Sequence, residues 1–307
     1  MTTATLDRSP VASFKPQPKN GAGQQAQTFI LTVSCPDSIG VVAEVAAFLL
    51  AHDCNIIESG QYSDQESGRF FLRNAFRPKS GANLDTLKKA FAPVAERYQI
   101  EFHFHDAAHK VKTLVLVSKL GHCLNDLIFR HRIGALPVDI VGVVSNHRDF
   151  EGLVGAAGLP FDYLPITAET KPQQEAQLQA LAEARGAELI VLARYMQVLS
   201  AEFCARWSGR VINIHHSFLP SFKGALPYHR AHARGVKLIG ATGHYVTDDL
   251  DEGPIIEQDV HRVSHGQSAE DFVVAGRDVE AVVLARAVTW HAERRVLLNG
   301  LRTVIFR

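Results

Sequence analysis

In the run Arg210-Val211-Ile212-Asn213-Ile214-His215-His216-Ser217-Phe218-Leu219-Pro220, an amide and an imidazole interrupt a short apolar strand. Two residues apart in a strand, Asn213 and His215 share a face, roughly 6.5 Å apart along the chain. Two polar groups on one face of a core strand cost free energy unless something pairs with them, and a small polar substrate would be such a partner. An Asn amide can donate to a carbonyl oxygen that gains negative charge, and a His can donate or shuttle a proton. The turn Thr247-Asp248-Asp249-Leu250-Asp251-Glu252-Gly253-Pro254 is crowded with carboxylates, one of which could orient the imidazole and take a proton from an attacking water or amine. Amide, imidazole and carboxylate without a Ser or Cys nucleophile suit acyl chemistry with no covalent enzyme intermediate. Ser217 lacks the GxSxG elbow of serine hydrolases.

These residues need a sheet to hold them. Residues 1–26 are rich in Thr, Ser, Pro, Gln, Gly and Ala and are expected to form a disordered tail. From 27 to 107 the pattern reads strand (Phe29–Val33), helix (Val41–His52), strand (Asn55–Tyr62), strand (Arg69–Phe76), helix (Leu84–Ala95) and strand (Ile100–His105). This is a βαββαβ, ferredoxin-like unit. From 108 to 307 strands at 113–117, 138–144, 189–193 and 211–214 alternate with helices at 124–131, 171–185 and 201–207. That alternation predicts a wound α/β, Rossmann-like domain with a mostly parallel sheet. Strands at 238–246 and 254–260 flank the acidic turn and should be antiparallel. A long helix is expected from Ser268 to about Leu298, with a last edge strand near Thr303–Phe306. In open α/β sheets ligands bind at the carboxyl ends of strands, which is where Asn213, His215 and the loop Ala193–Leu199 fall.

Composition excludes several classes. Acidic and basic residues balance at 32 each, which argues against a nucleic-acid footprint. No apolar run reaches the roughly 20 residues of a membrane helix, and the N-terminus has no signal-peptide core. The four cysteines, Cys35, Cys54, Cys123 and Cys204, are scattered, as in a reducing compartment, so a cytoplasmic protein is expected. His103 and His105 share a strand face and His229 and His232 lie at i,i+3. Neither pair has a third ligand at metal-binding spacing, so no metal is expected.

Asn213-Ile214-His215 with Ser217 to Gly224, then Gly240-Ala241-Thr242-Gly243-His244-Tyr245-Val246 and Asp249-Leu250-Asp251-Glu252-Gly253-Pro254-Ile255-Ile256, resembles the folate-dependent formyltransferase family. The preceding unit, with Cys35-Pro36-Asp37, Gly40 and Gly68-Arg69-Phe70-Phe71-Leu72-Arg73, resembles an ACT domain. The two in this order are the layout of the formyltetrahydrofolate deformylases. Val282–His291 and Arg295–Gly300 resemble the C-terminus of that family too.

This resemblance implies hydrolysis of 10-formyltetrahydrofolate to formate and tetrahydrofolate, in one-carbon metabolism and purine biosynthesis. It implies Asn213, His215 and Asp251 as catalytic residues and His244 as a supporting active-site residue. Met196, Gln197, Val198 and Leu199, with Val246, Thr247, Asp248, Asp249 and Leu250, would wall the folate pterin. No tightly bound cofactor is implied, only the folate substrate. The ACT resemblance implies a small amino-acid effector at Asp37, Ser38, Ile39 and Gly40, and a homo-oligomer, dimer or tetramer.

Two other functions remain open at this level. Related transformylases pass the formyl group to an amine such as glycinamide ribonucleotide, and hold its phosphate on a Gly-rich loop after the first strand. Here that loop reads Ser118-Lys119-Leu120-Gly121-His122-Cys123-Leu124-Asn125 and keeps only Gly121, which favours water as acceptor. An amino-acid sensor with an inactive enzyme domain would have no reason to keep Asn213, His215 and Asp251 together.

Overall fold

A computed structural model describes residues 27–79, 83–219 and 227–307. The expected tail at 1–26 and the motif residues Pro220 to Gly224 lie outside the described residues.

The N-terminal part follows the expected order: β1 (Phe29–Pro36), α1 (Val41–Ala51), β2 (Cys54–Asp64), β3 (Arg69–Pro78), α2 (Leu84–Tyr98) and β4 (Glu101–Asp106). The strands form one antiparallel sheet in the order β2-β3-β1-β4. Alternation makes one face of β1 apolar, and Phe29, Leu31 and Val33 bury there against Val45 and Leu49 of α1 and Leu87 and Phe91 of α2. Asn83 starts α2 by accepting the amide of Asp85 at 2.8 Å, which satisfies one free amide of the first turn.

The rest of the chain runs β5 (Val111–Val117), α3 (His122–Arg132), β6 (Val138–Ser145), α4 (Glu151–Ala156), β7 (Phe161–Tyr163), α5 (Lys171–Ala184), β8 (Leu189–Leu192), α6 (Ala201–Arg206), β9 (Val211–His215), α7 (Pro227–Ala233), β10 (Leu238–Tyr245), β11 (Ile255–Arg262), α8 (Ala269–Ala292), β12 (Val296–Asn299) and β13 (Arg302–Ile305). The second sheet has the order β11-β10-β9-β8-β5-β6-β7. Strands β5 to β9 are parallel, and β10 and β11 add antiparallel. Continuous apolar runs such as Leu189–Leu192 are buried on both faces, as a sheet covered by helices requires.

Two expectations need correction. The last helix ends at Ala292, not near Leu298, because Arg294 adopts a left-handed backbone with φ 56°. The segment after it is a strand, β12, so the expected edge strand near 303–306 closes a separate hairpin with β12 and does not join the main sheet. The short elements α4, β7 and α7 carried too few periodic positions to be read from sequence.

Candidate active site

Strand β9 carries Asn213 and His215 on one face, and β10 lies beside it with His244 opposite Asn213 and Thr242 opposite His215. The chain then turns through residues 246–254 and brings Asp251 back against both rings. His215 Nδ1 lies 3.1 Å from one Asp251 carboxylate oxygen, and His244 Nε2 lies 3.7 Å from the other. The four residues named from sequence thus meet, although Asp251 is far along the chain from Asn213.

The hydrogen bonds fix how the rings are held. His244 Nδ1 is 2.9 Å from the Tyr245 carbonyl oxygen, which can only accept, so Nδ1–H donates. With the ring neutral, its Nε2 lone pair accepts the Asn213 amide at 3.2 Å. His215 Nδ1–H donates to the Asp251 carboxylate and leaves Nε2 buried, with no hydrogen-bond partner among the described residues. A buried ring nitrogen in a cavity wall costs free energy unless it is paired, and this one is placed to meet a substrate. Burial pushes the Asp251 carboxyl up, but the hydrogen bond from His215 and the closeness of both imidazoles outweigh it. The group is held well below the usual carboxylate range, and Asp251 is therefore an anion at neutral pH.

The turn that presents Asp251 is strained. Its φ is 59°, a left-handed conformation that costs a non-glycine residue on the order of 1–3 kcal/mol. Gly253 makes the return possible, since a Cβ there would lie 1.8 Å from the Tyr245 carbonyl oxygen. Thr247 Oγ1 and the Glu252 amide both donate to the Asp249 carbonyl, at 3.1 and 3.3 Å, and close the turn.

These groups open into a cavity of about 620 Å³. Met196 to Leu199 and Val246, Thr247, Asp248 and Leu250 line it; Asp249 does not, because its carbonyl is spent inside the turn. Met196 and Val198 are more than half exposed, so the wall offers apolar surface for a flat ring.

A second group in the wall was missed from sequence. Glu280 of α8 is buried and takes hydrogen bonds from Tyr228 Oη at 2.7 Å and His122 Nε2 at 2.8 Å, with Arg194 Nε at 3.4 Å. Burial raises its carboxyl, but His122, Arg194 and Tyr228 outweigh this and keep it ionised. The signal was present: Phe272, Gly276, Glu280, Val283 and Ala287 recur at helical spacing, and Glu280 alone breaks the apolar stripe. Gly276 lets the Tyr228 ring approach, since a Cβ there would meet it at 2.2 Å. His122, Cys123 and Glu280 also bring ligand-type atoms within 4.8 Å of one another. The Arg194 guanidinium already balances that carboxylate, and burial pushes the Cys123 thiol well up, so the set suits a closed ion-pair network better than a metal.

The expected effector loop lies away from this cavity. The Asp37 amide donates to the Gly68 carbonyl at 2.9 Å, Ser63 Oγ donates to the Asp37 carboxylate, and Ile39 is fully exposed.

The formyl transferase family matches residues 111–288. A formyltetrahydrofolate deformylase from Corynebacterium sp. (strain P-1) is 50% identical over 279 residues, covering 91% of this chain and 98% of that protein. The chain belongs to the formyltetrahydrofolate deformylase family. A crystal structure of a formyltetrahydrofolate deformylase from Burkholderia mallei superposes with a TM-score of 0.88 at 56% identity, over 92% of this chain and 100% of that one. A glycinamide ribonucleotide transformylase from Symbiobacterium toebii is more distant, with a TM-score of 0.62 and 30% identity over 66% of this chain and 97% of its own. The family match begins at the first residue of β5, so the deformylase layout includes a sheet ahead of it.

Proposed function

We propose that this chain hydrolyses 10-formyltetrahydrofolate to formate and tetrahydrofolate. The observation that carries this reading is the Asp251–His215 contact beside Asn213 in the wall of the cavity, in a family of that activity. The pterin would lie against Met196 to Leu199 and the 246–250 segment, with the formyl group toward β9. Asn213 Nδ2 and, when the ring is protonated, His215 Nε2 donate to the formyl oxygen as water adds to the carbon. Asp251 accepts the hydrogen bond of the attacking water and holds the imidazole through its other oxygen. Its depressed pKa makes it a transient acceptor of the water proton, which passes with the help of His215 to N10 as the C–N bond breaks. One water proton thus ends on N10 and the other is released to solvent, so the formyl amine and water give formate, the free N10 amine and one proton.

Formate release with no amine present tests the reading against transfer to an amine acceptor. Turnover in buffer alone is the expected result, and strict dependence on an added amine would overturn it.

We read residues 27–107 as an ACT-type regulatory domain, a reading with which the sheet order β2-β3-β1-β4 is compatible, and residues 108–307 as the catalytic domain. Strands β2 and β4 are its edges, and Ile57 and Tyr62 are exposed on β2. We infer a homo-oligomer paired through such an edge, in the cytoplasm, with the 37–40 loop open to a small amino-acid effector. Equilibrium ultracentrifugation that finds monomer alone would remove the pairing.

A further inference from the structure

A second cavity, of about 420 Å³, lies between the first sheet and the C-terminal end of α8. Strands β1 and β4 wall one side with Thr32, Ser34, His103 and His105, and His291 and Arg294 wall the other. Arg294 sits at the left-handed residue that ends α8. Its backbone is pinned there, because the buried Arg73 donates from Nε to the Arg294 carbonyl at 3.1 Å and from Nη2 to the Glu293 carbonyl at 3.0 Å. The Arg294 guanidinium itself has no hydrogen-bond or ion-pair partner among the described residues, although it is only partly exposed. The Glu188 charge reaches Arg294 but makes no contact with it, so the guanidinium donors remain open to an anion.

The rings beside it point the same way. Tyr245 Oη is 2.7 Å from His291 Nδ1, which leaves His291 Nε2 with no protein partner among the described residues. His103 and His105 stack with ring centroids 6.0 Å apart. Burial first, then the charge of Arg294, hold His105 and His291 down to about 3. The acidic groups nearby are already engaged. Glu101 lies 3.5 Å from Arg69, and Glu188 takes His109 at 2.8 Å and the Lys112 amide at 3.1 Å. Lys88 and His109 add to the positive field on His105. Glu101 lines the cavity as well, and the Glu188 charge reaches Arg294 and His291, but neither carboxylate is bonded to Arg294, so the guanidinium and the rings beside it are left to an anion.

We propose that this cavity is a small-anion site in which Arg294, with the rings of His291 and His105, holds a carboxylate or a phosphate group. It is separate from the folate cavity and shares with it only the strand end at Tyr245.

Calorimetric titration of the full chain with inorganic phosphate, and separately with formate, at neutral pH tests it. The same titrations with Arg294→Gln and Arg294→Lys, and ring nitrogen NMR of the wild-type chain, complete the test. At least one anion should bind, and the one that does identifies the class. R294Q should weaken binding at least tenfold and R294K less, and the His105 and His291 signals should move along the titration. Equal affinity in wild type and R294Q would overturn the site, as would binding abolished by added tetrahydrofolate. Should R294Q not fold, the wild-type ring signals decide, and their failure to move with either anion ends the proposal.

Discussion

In the cavity at the end of β9 a carboxylate, Asp251, lies 3.1 Å from His215 and 3.7 Å from His244. In the cavity between the sheets a guanidinium, Arg294, stands among His103, His105 and His291. Both cavities are built from imidazoles, and Tyr245 links them: its carbonyl accepts from His244 of the first and its hydroxyl pairs with His291 of the second. The neighbour's charge separates them. Asp251 holds the ring beside it in place through a hydrogen bond. Burial first, and then the charge of Arg294, keep His105 and His291 neutral, and they wait for an anion from outside. One cavity is arranged for chemistry and the other for binding.

The comparison breaks most visibly at Asp251. Asp251→Asn removes the anion and lets the side-chain amide compete for the ring, and kcat for formate release should fall by about 10⁴, the upper end of what a positioned acid–base group supplies. A variant within tenfold of wild type would dissociate the carboxylate from the chemistry. Asn213→Ala removes one donor to the developing oxyanion and should cost about 10²–10³ in kcat with KM for the folate nearly unchanged. A rise in KM at constant kcat would instead make Asn213 a binding group.

The second cavity predicts a pH effect on stability. The unfolded chain binds protons on these imidazoles below about pH 6.5, whereas folded His105 and His291 refuse them until about 3. The unfolded state therefore holds more protons in that window, and stability falls as pH drops through it, by at most about 1.4 kcal/mol per ring per pH unit. Asp251 acts in the opposite part of the scale. Its lowered carboxyl contributes stability that is present above the ordinary Asp value of about 3.9 and is lost only at still lower pH. Urea midpoints from pH 6.5 to 4 should decline, and less steeply with phosphate present. A flat profile would mean that the rings take up protons in the fold. Smallest is Tyr245→Phe, which removes the hydroxyl shared with His291. It should cost about 1 kcal/mol of stability by chemical denaturation and leave kcat within a few-fold, whereas a loss as large as that of N213A would show that the two cavities are coupled.

Much of the first cavity could be read from residues, because its polar groups break local rules. Asn213 and His215 interrupt an apolar strand, and Asp251 stands in a turn whose Gly253 alone permits the return. Glu280 obeyed the same logic and was overlooked, since one of the four carboxylates in a 24-residue helix resembles a solvated face until its apolar neighbours are counted. The second cavity was not legible. Arg294 and His291 meet His105 only when the sheet packs on the end of α8, and that end was itself misplaced, because the left-handed φ of Arg294 leaves no mark of the kind a glycine would. His103 and His105 were visible as a pair sharing a strand face, but nothing in the sequence placed a guanidinium opposite them.

The most direct measurement is mass analysis of formate released from 10-formyltetrahydrofolate in ¹⁸O-labelled water, with no amine present, by wild type and D251N under single-turnover conditions. Wild type should release formate with one solvent oxygen per molecule, and D251N should release the same product at a rate lower by about 10⁴. Unlabelled formate, or none until an amine is added, would contradict water as the acceptor at this site.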